Sequence, residues 1–387
     1  MSILYFSPFP SHPDNHGNQA TIQSFGRHFL KLGHRVHFAL LKSPIYDQAA
    51  LQAMRREWDT LDLLPNSKKL WADGALIPFD GWYQPGLGEN IRKLCIRYNI
   101  DVVLCSYVFQ SKLLEYVPPH VLKVIDTHDK MGNRYEMLRA NGQKVEFFSC
   151  TPEEEGTYLA RADIVLARRM EEARYFDQVT RRKTALVLPH VEEPRYIRKP
   201  RSELRCVGVV ASANRINLAI LVELLTELKM RFGKNCPFTL IVAGQVGDLL
   251  HELPNKQRQL FSFPWVRMPG YIKDIAAFYE SVDLVLSPVT MGTGINVKTV
   301  QAMAFGMPLL TTRVGIKGIE TDEPMHNHET IAGLVKSILS VRRCPEVLQR
   351  LADVSVSRYQ RLLNDAGISI RTILDHPKLS KIEGNNE

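Results

Sequence analysis

The sequence predicts two parallel α/β domains joined by one linker. Strand-like apolar runs alternate with segments of helical spacing along almost the whole chain, which implies parallel sheets with helical crossovers. The alternation breaks once, over residues 189–204 (PHVEEPRYIRKPRSEL), where prolines and charges displace apolar side chains. A chain of 387 residues also exceeds what one core organises. The expected division is a Rossmann-like domain over 1–190, a linker over 191–204 and a second Rossmann-like domain over 205–350. Helices follow over 351–375, then a polar, frayed tail over 376–387.

The first element is Ile3–Phe6, a short apolar strand. Pro8, Pro10, Pro13 and Gly17 mark Ser7–Asn18 as a loop. Ile22, Phe25, Phe29 and Leu32 fall at helical spacing, so Ala20–Leu32 is a helix stopped by Gly33, and Arg35–Leu41 is the next strand. Glu89–Tyr98 reads as helix; Val102–Cys105 and Leu122–Ile125 read as strands. Thr151 is placed to cap a helix over Glu153–Arg161, with Pro152 in its first turn. Glu153, Glu154 and Glu155 suit the positive end of that helix, so this carboxylate run reads as helix chemistry. Strand Asp163–Ala167, helix Glu171–Gln178 and strand Ala185–Leu188 complete the half.

The second half repeats the pattern. Cys206–Val210 is a strand, Leu218–Arg231 a helix ended by Gly233, Phe238–Ala243 a strand stopped by Gly244, and Asp274–Ser281 a helix. Strand Asp283–Ser287 runs into a glycine-rich turn, a short helix, a Gly306-Met307-Pro308 stop and the strand Leu309–Thr312. Ile331–Val341 and Pro345–Leu363 are helical. Sheets of this kind bind ligands at the carboxyl ends of their strands. The loops after Phe6, Ile125, Val210 and Ser287 are therefore where a site is expected, in a cleft between the domains.

Composition narrows the class. Hydrophobic content of 45% and charged content of 23% are ordinary for a soluble protein. No apolar run approaches the ~20 residues of a membrane helix. The start MSILYFSPFP lacks the basic region of a signal peptide and reads as strand. The six cysteines lie far apart without a C-x-x-C pair, which points to reduced cytosolic thiols and away from zinc or a disulfide framework. The net charge of +8 comes without a helix-turn-helix, zinc finger or aromatic RNA-binding strand, so nucleic acid is not expected as a partner. A cytoplasmic protein attached peripherally to the anionic inner face of a membrane fits the charge better.

The segment Ser287–Thr312 is the most informative. Lys298, Gln301 and Phe305 share one face of its helix, with Val300, Met303 and Ala304 on the opposite, core-facing side. A cation in a first helical turn opposes the dipole, and no carboxylate lies nearby in sequence. An anion held by the backbone of Gly294, Ile295 and Asn296 and by the Lys298 ammonium resolves the conflict. A solvated lysine above a tight turn is the plain alternative. Gln301, three residues on, can exchange two hydrogen bonds with a hydroxyl pair such as a ribose.

Other loops carry further candidates. Arg215 sits in ASANRIN after a strand and can clamp a phosphate, or be solvated. In Asp126-Thr127-His128-Asp129, His128 can bond a sugar hydroxyl or steady a developing charge. Asp126 and Asp129 either face the same ligand or cap the next helix, with Asp129 as N-cap. His12, Asp14 and His16 are too irregularly spaced to suggest metal, although His16 is a candidate sugar or acceptor contact. Gly17 and Asn18 open a helix where backbone can approach a ligand. Neither a glycosidase-like carboxylate pair nor a G-x-S-x-G elbow is readable.

With these residues in view the chain resembles a GT-B-fold glycosyltransferase, most similar to the large retaining family 4. The resemblance runs nearly end to end. It spans ILYFSPFP, HGNQATIQSFGRHFLKLGHRV, the DTHD loop, TPEEEGTYLARADIVLARRMEEARYF and LVLPHV. It continues through VGVVASANRIN, WVRMPGYIKDIAAFYESVDLVLSP and GTGINVKTVQAMAFGMPLLTTRVGIKGI. It implies that Gly292–Asn296 (with Thr293, Gly294 and Ile295) and Lys298 lie at the donor diphosphate. Gly270 and Tyr271 border the nucleobase, Gly17 lies under the sugar phosphates, and His128 is near the transferred sugar. It also implies that the final helices cross back to the first domain, and that lysine, arginine and helix dipoles neutralise the leaving group without a metal or other cofactor. The family's two glutamates, eight positions apart, are Thr293 and Gln301 here. A glutamine accepts with one end only, so nucleotide affinity is expected to fall by about 1–2 kcal/mol.

The expected activity is therefore hexosyl transfer from a nucleotide diphosphate-sugar to a glycan, lipid-linked glycan or protein acceptor, with retention, in polysaccharide biosynthesis. The second domain takes the donor and the first the acceptor, with His128, Lys298 and Arg215 as catalytic residues. The alternatives are a non-catalytic nucleotide-sugar-binding partner subunit, which Gln301 would suit, and a nucleotide-sugar epimerase on the same fold.

Overall fold

Seven parallel strands form the sheet of the first half: β1 (Ser2–Ser7), β2 (Arg35–Leu41), β3 (Thr60–Leu64), β4 (Val102–Ser106), β5 (Leu122–Asp126), β6 (Ile164–Ala167) and β7 (Ala185–Val187). Their order is β3-β2-β1-β4-β5-β6-β7. The computed structural model describes residues 1–13, 17–66, 80–140, 147–197, 203–291 and 295–383. Every residue of β1 is buried, as a strand covered on both faces requires. The helices between the strands are α1 (Gly17–Lys31), α2 (Gln48–Glu57), α3 (Leu87–Arg97), α4 (Arg134–Ala140), α5 (Pro152–Leu159) and α6 (Met170–Thr180), with a 3₁₀ segment over Val108–Glu115.

The second sheet has five parallel strands: β8 (Cys206–Val210), β9 (Thr239–Ala243), β10 (Val266–Gly270), β11 (Leu284–Ser287) and β12 (Leu309–Thr311). Their order is β10-β9-β8-β11-β12. Its helices are α7 (Arg215–Phe232), α8 (Asn255–Arg258), α9 (Ile275–Ser281), α10 (Val297–Ala304) and α11 (Ile331–Arg342), followed by α12 (Pro345–Leu374) and α13 (Pro377–Glu383). Gly208 lets α9 press on β8: a Cβ there would stand 2.7 Å from the Phe278 ring.

By contacts the chain divides into one unit of Met1–Pro189 with Asp365–Glu387 and a second of His190–Asn364. The segment read as a linker starts inside the second unit. There Arg195 and Ile197 donate backbone hydrogen bonds to Ala304 and Phe305 at 2.8 and 2.9 Å, and residues 198–202 lie outside the described residues. Helix α12 continues past Leu363, and its end belongs to the first unit, where Ser369 Oγ donates to Val187 O at 2.6 Å. Most of the expected polar tail is helix α13, held by Lys378 Nζ on Asp163 at 2.7 Å.

Two strands escape the sequence reading, β3 and β10. Both are edge strands, so they lack the continuous apolar run of a central strand; β10 even contains Pro269, tolerated where one side needs no partner. The helical wheel also misplaces Phe305. It lies at the C-cap of α10, where the chain leaves the helix, and its ring stacks on Tyr279 at 4.5 Å in the core.

Candidate functional site

Each sheet reverses its winding at one pair of strands, β1/β4 in the first unit and β8/β11 in the second. Such switch points open crevices at the carboxyl ends of the strands. In the second unit a crevice lies there, lined by Val209, Ala211, Asn217, Ser287, Val289 and Lys298 among others.

Helix α10 starts beside it. Asn296, in extended conformation, caps the helix by accepting from Thr299 N at 3.0 Å. Thr299 Oγ1 lies 2.8 Å from Ser287 Oγ and donates to Gly315 O at 2.9 Å, which ties the first turn to the end of β11. Lys298 is thereby pointed into the crevice and half-buried. Burial pushes its ammonium pKa down to about 8. No carboxylate pairs with it among the described residues. Thr293 and Gly294 lie outside the described residues; Ile295 and Asn296 are half-buried at the helix start.

One turn further, Gln301 is engaged at both ends. Its Oε1 accepts from Tyr279 Oη at 3.1 Å, and its Nε2 donates to both carboxylate oxygens of Glu192 at 3.3 Å. Gly270 ends β10 with φ +76° and its carbonyl accepts from Gly244 N at 2.8 Å, while Tyr271 is exposed. Arg215 opens α7 with its side chain on the surface, paired to Glu252 at 2.9 Å.

The first unit builds a different cluster at the ends of β4, β5 and β6. Asp126 is wholly buried at the end of β5. Its Oδ1 accepts from the Arg168 guanidinium and its Oδ2 accepts from Tyr5 Oη at 3.2 Å. Burial pushes the Asp126 carboxyl up, but Arg168, His128 and Tyr5 outweigh it and hold it below the usual range. His128 Nε2 lies 3.2 Å from Ser106 Oγ and 3.4 Å from Asp126 Oδ2. Its ring stacks on Tyr107 at 4.4 Å. Burial, with Arg168 nearby, drives the His128 pKa down to about 4, so the ring is neutral at pH 7. Tyr107 and His128 both hold positive φ, +67° and +59°, a strain that packing must sustain.

Asn18, at the start of α1, donates to Tyr107 Oη at 3.2 Å, which brings Gly17 and Asn18 to the same place. Asp129 caps no helix, because the next begins at Arg134; that arginine pairs with it at 3.5 Å. Asp14 and His16 lie outside the described residues, and His12 is turned to Glu57 at 2.8 Å. Among the described residues no group of three His, Cys, Asp or Glu side chains is placed to hold a metal. No helix of the described residues is long and apolar enough to cross a membrane.

Glu155 is the clearest correction to the carboxylate run. Thr151 and Glu154 do form a capping box, but Glu155 turns inward. It accepts from Met131 N at 2.7 Å, Gly132 N at 2.8 Å and Tyr175 Oη at 2.8 Å, and so fixes the turn that follows His128. Sequence reasoning also missed Ser106, Tyr107, Arg168 and Glu192. Ser106, Tyr107 and Arg168 sit at carboxyl ends of strands, so the rule that located His128 would have found them. Glu192 carried no such signal.

Two doubly wound parallel sheets, seven and five strands wide, each with a polar cluster at its carboxyl edge, are the GT-B architecture of glycosyltransferases. Residues 201–341, in the second unit, match the family Glycosyl transferases group 1. No curated protein matches the chain by sequence. Among solved structures, Anabaena HepE in complex with UDP-glucose is 15% identical, with TM-score 0.67, covering 96% of this chain and 99% of its own. Sucrose-phosphate synthase from Thermosynechococcus elongatus is 16% identical, with TM-score 0.70, covering 96% and 97%. The lipopolysaccharide outer core galactosyltransferase WaaB is 13% identical, with TM-score 0.61, covering 95% and 99%. At these identities the likeness is one of fold.

Proposed function

We propose that the chain transfers a sugar from a nucleotide diphosphate-sugar to a hydroxyl of a glycan, lipid-linked glycan or glycoprotein, with retention of anomeric configuration. The observation that carries this is Lys298, a desolvated cation at the β8/β11 switch point with no carboxylate partner among the described residues. The family match over 201–341 and the UDP-glucose held by HepE support a nucleotide-sugar donor.

The donor diphosphate docks against Lys298 and the N-terminal end of α10, whose peptide dipoles favour negative charge. As the bond to the anomeric carbon breaks, charge grows on the leaving diphosphate. A cation already partly desolvated and held in place stabilises it with little reorganisation. The departing phosphate oxygen takes the proton of the acceptor hydroxyl, which enters on the same face of the sugar. The first unit supplies His128. Being neutral at pH 7, it serves a sugar hydroxyl as a hydrogen-bond partner and not as an acid, with Asp126 and Arg168 fixing its surroundings. Arg215 is occupied with Glu252 and is given no role. We expect transfer to need no divalent cation, and the basic charge to draw the protein to the inner membrane face.

Screening UDP-, GDP-, ADP- and TDP-sugars by thermal unfolding is the test, because a bound donor raises the midpoint by mass action. One nucleotide class should do so, and transfer should persist in EDTA. Lys298→Ala should cost about 2–4 kcal/mol in kcat/KM. Near-normal turnover in that variant removes the assignment, and no shift with any sugar nucleotide sinks the donor reading. Donor incubated alone should be at most slowly hydrolysed; a new sugar nucleotide would mean an epimerase.

A further inference from the structure

Gln301 is the side chain that the sequence singles out for a hydroxyl pair, yet the fold has already spent its amide. Tyr279, wholly buried, donates to Oε1, and the amide nitrogen faces the Glu192 carboxylate. The opposite orientation of the amide would set a carbonyl oxygen against that carboxylate, so the observed one is fixed. The acceptor with capacity to spare is Glu192. Its main chain is clamped: its N–H donates to Tyr359 Oη and its carbonyl accepts from the same hydroxyl. His190 Nε2, in a wholly buried side chain, lies 3.3 Å from Oε1. A carboxylate offers about four lone-pair directions, and the Glu192 side chain remains 21% exposed, so water or a ligand reaches it.

We propose that Glu192 holds the ribose of the donor nucleotide, its carboxylate accepting from the 2′- and 3′-hydroxyls. This rests on the donor reading above. The placement suits one ligand spanning both ends. Lys298 and Gln301 are three residues apart on α10, a rise of ~4.5 Å, within reach of a nucleoside diphosphate that puts phosphate at one and ribose at the other. Gln301 holds the carboxylate in place and contributes no acceptor of its own.

A site built to accept from a hydroxyl discriminates against the analogue that lacks it. Calorimetric titration of the full chain with UDP, GDP and ADP, and with dUDP, dGDP and dADP, measures that discrimination. The tightest ribonucleotide should bind at least about tenfold more tightly than its 2′-deoxy form. In Glu192→Gln that ratio should shrink to about twofold, the deoxy form losing only the contact to its 3′-hydroxyl and the ribonucleotide losing both. A wild-type ratio below twofold, or an undiminished ratio in Glu192→Gln, overturns the assignment and leaves the donor reading standing. Wild-type binding to none of the three ribonucleotides overturns the assignment, and the donor reading falls with it only if the thermal screen also finds no sugar nucleotide that binds. The wild-type ratio needs no variant, so the test survives a variant that fails to fold.

Discussion

The two polar clusters treat charge in opposite ways. In the first unit the buried charges answer one another: Asp126 meets Arg168, and burial with Arg168 nearby keeps His128 neutral against the pull of Asp126. In the second unit Lys298 has lost water without gaining a carboxylate among the described residues. A cluster that neutralises itself can hold a strained loop in place, and that is what the positive φ values of Tyr107 and His128 require. A cluster left with excess charge carries a cost in the free protein that only a ligand of opposite sign removes. On the proposed reading the first is a positioning device and the second a binding site.

The comparison can be broken most sharply at Arg168. Arg168→Ala strands a buried carboxylate and should lower unfolding stability by about 3–5 kcal/mol in denaturant titration. A loss below 1 kcal/mol would mean that the first cluster is not held by mutual compensation. Acid should expose the same cluster. The folded pKa of His128, about 4, lies below the unfolded value near 6.5. As pH falls through 6.5 the unfolded chain binds protons first. The stability this residue contributes is therefore present above pH 6.5 and is lost down to about pH 4, by up to about 3 kcal/mol. His128→Gln should flatten that acid limb, read as unfolding midpoint against pH; an unchanged limb would place His128 in contact with water.

Lys298 should respond with the opposite sign. Lys298→Met removes a desolvated cation and should raise stability by about 1–3 kcal/mol while it weakens nucleoside diphosphate binding. A destabilised variant would show that the lysine is compensated after all. The smallest effect belongs to Arg215→Ala. Its exposed pair with Glu252 predicts an unchanged unfolding midpoint and nucleotide affinity within twofold of wild type. A tenfold loss of affinity would return Arg215 to the phosphate.

Much of the fold was legible because a parallel strand buried on both faces leaves a continuous apolar run. Leu4, Val103 and Val124 belong to such runs, and all of them are buried. The edge strands β3 and β10 leave no such trace. At the site, Lys298 was readable as a cation misplaced on a helix dipole, a local conflict between neighbours in sequence. His128 was readable as a polar residue ending a buried strand.

By itself, then, the sequence determined the alternation of elements, the two-part division, and the misplaced cation with its helix. These depend on spacings of a few residues and on burial patterns that each segment carries alone. Only the tertiary structure decided that Arg168 answers Asp126, that Glu155 fixes the turn after His128, and that Gln301 gives its amide to Tyr279 and Glu192. Partners 42, 23 and 109 residues apart are chosen by which strand ends the sheet order brings together, and no local pattern records that choice.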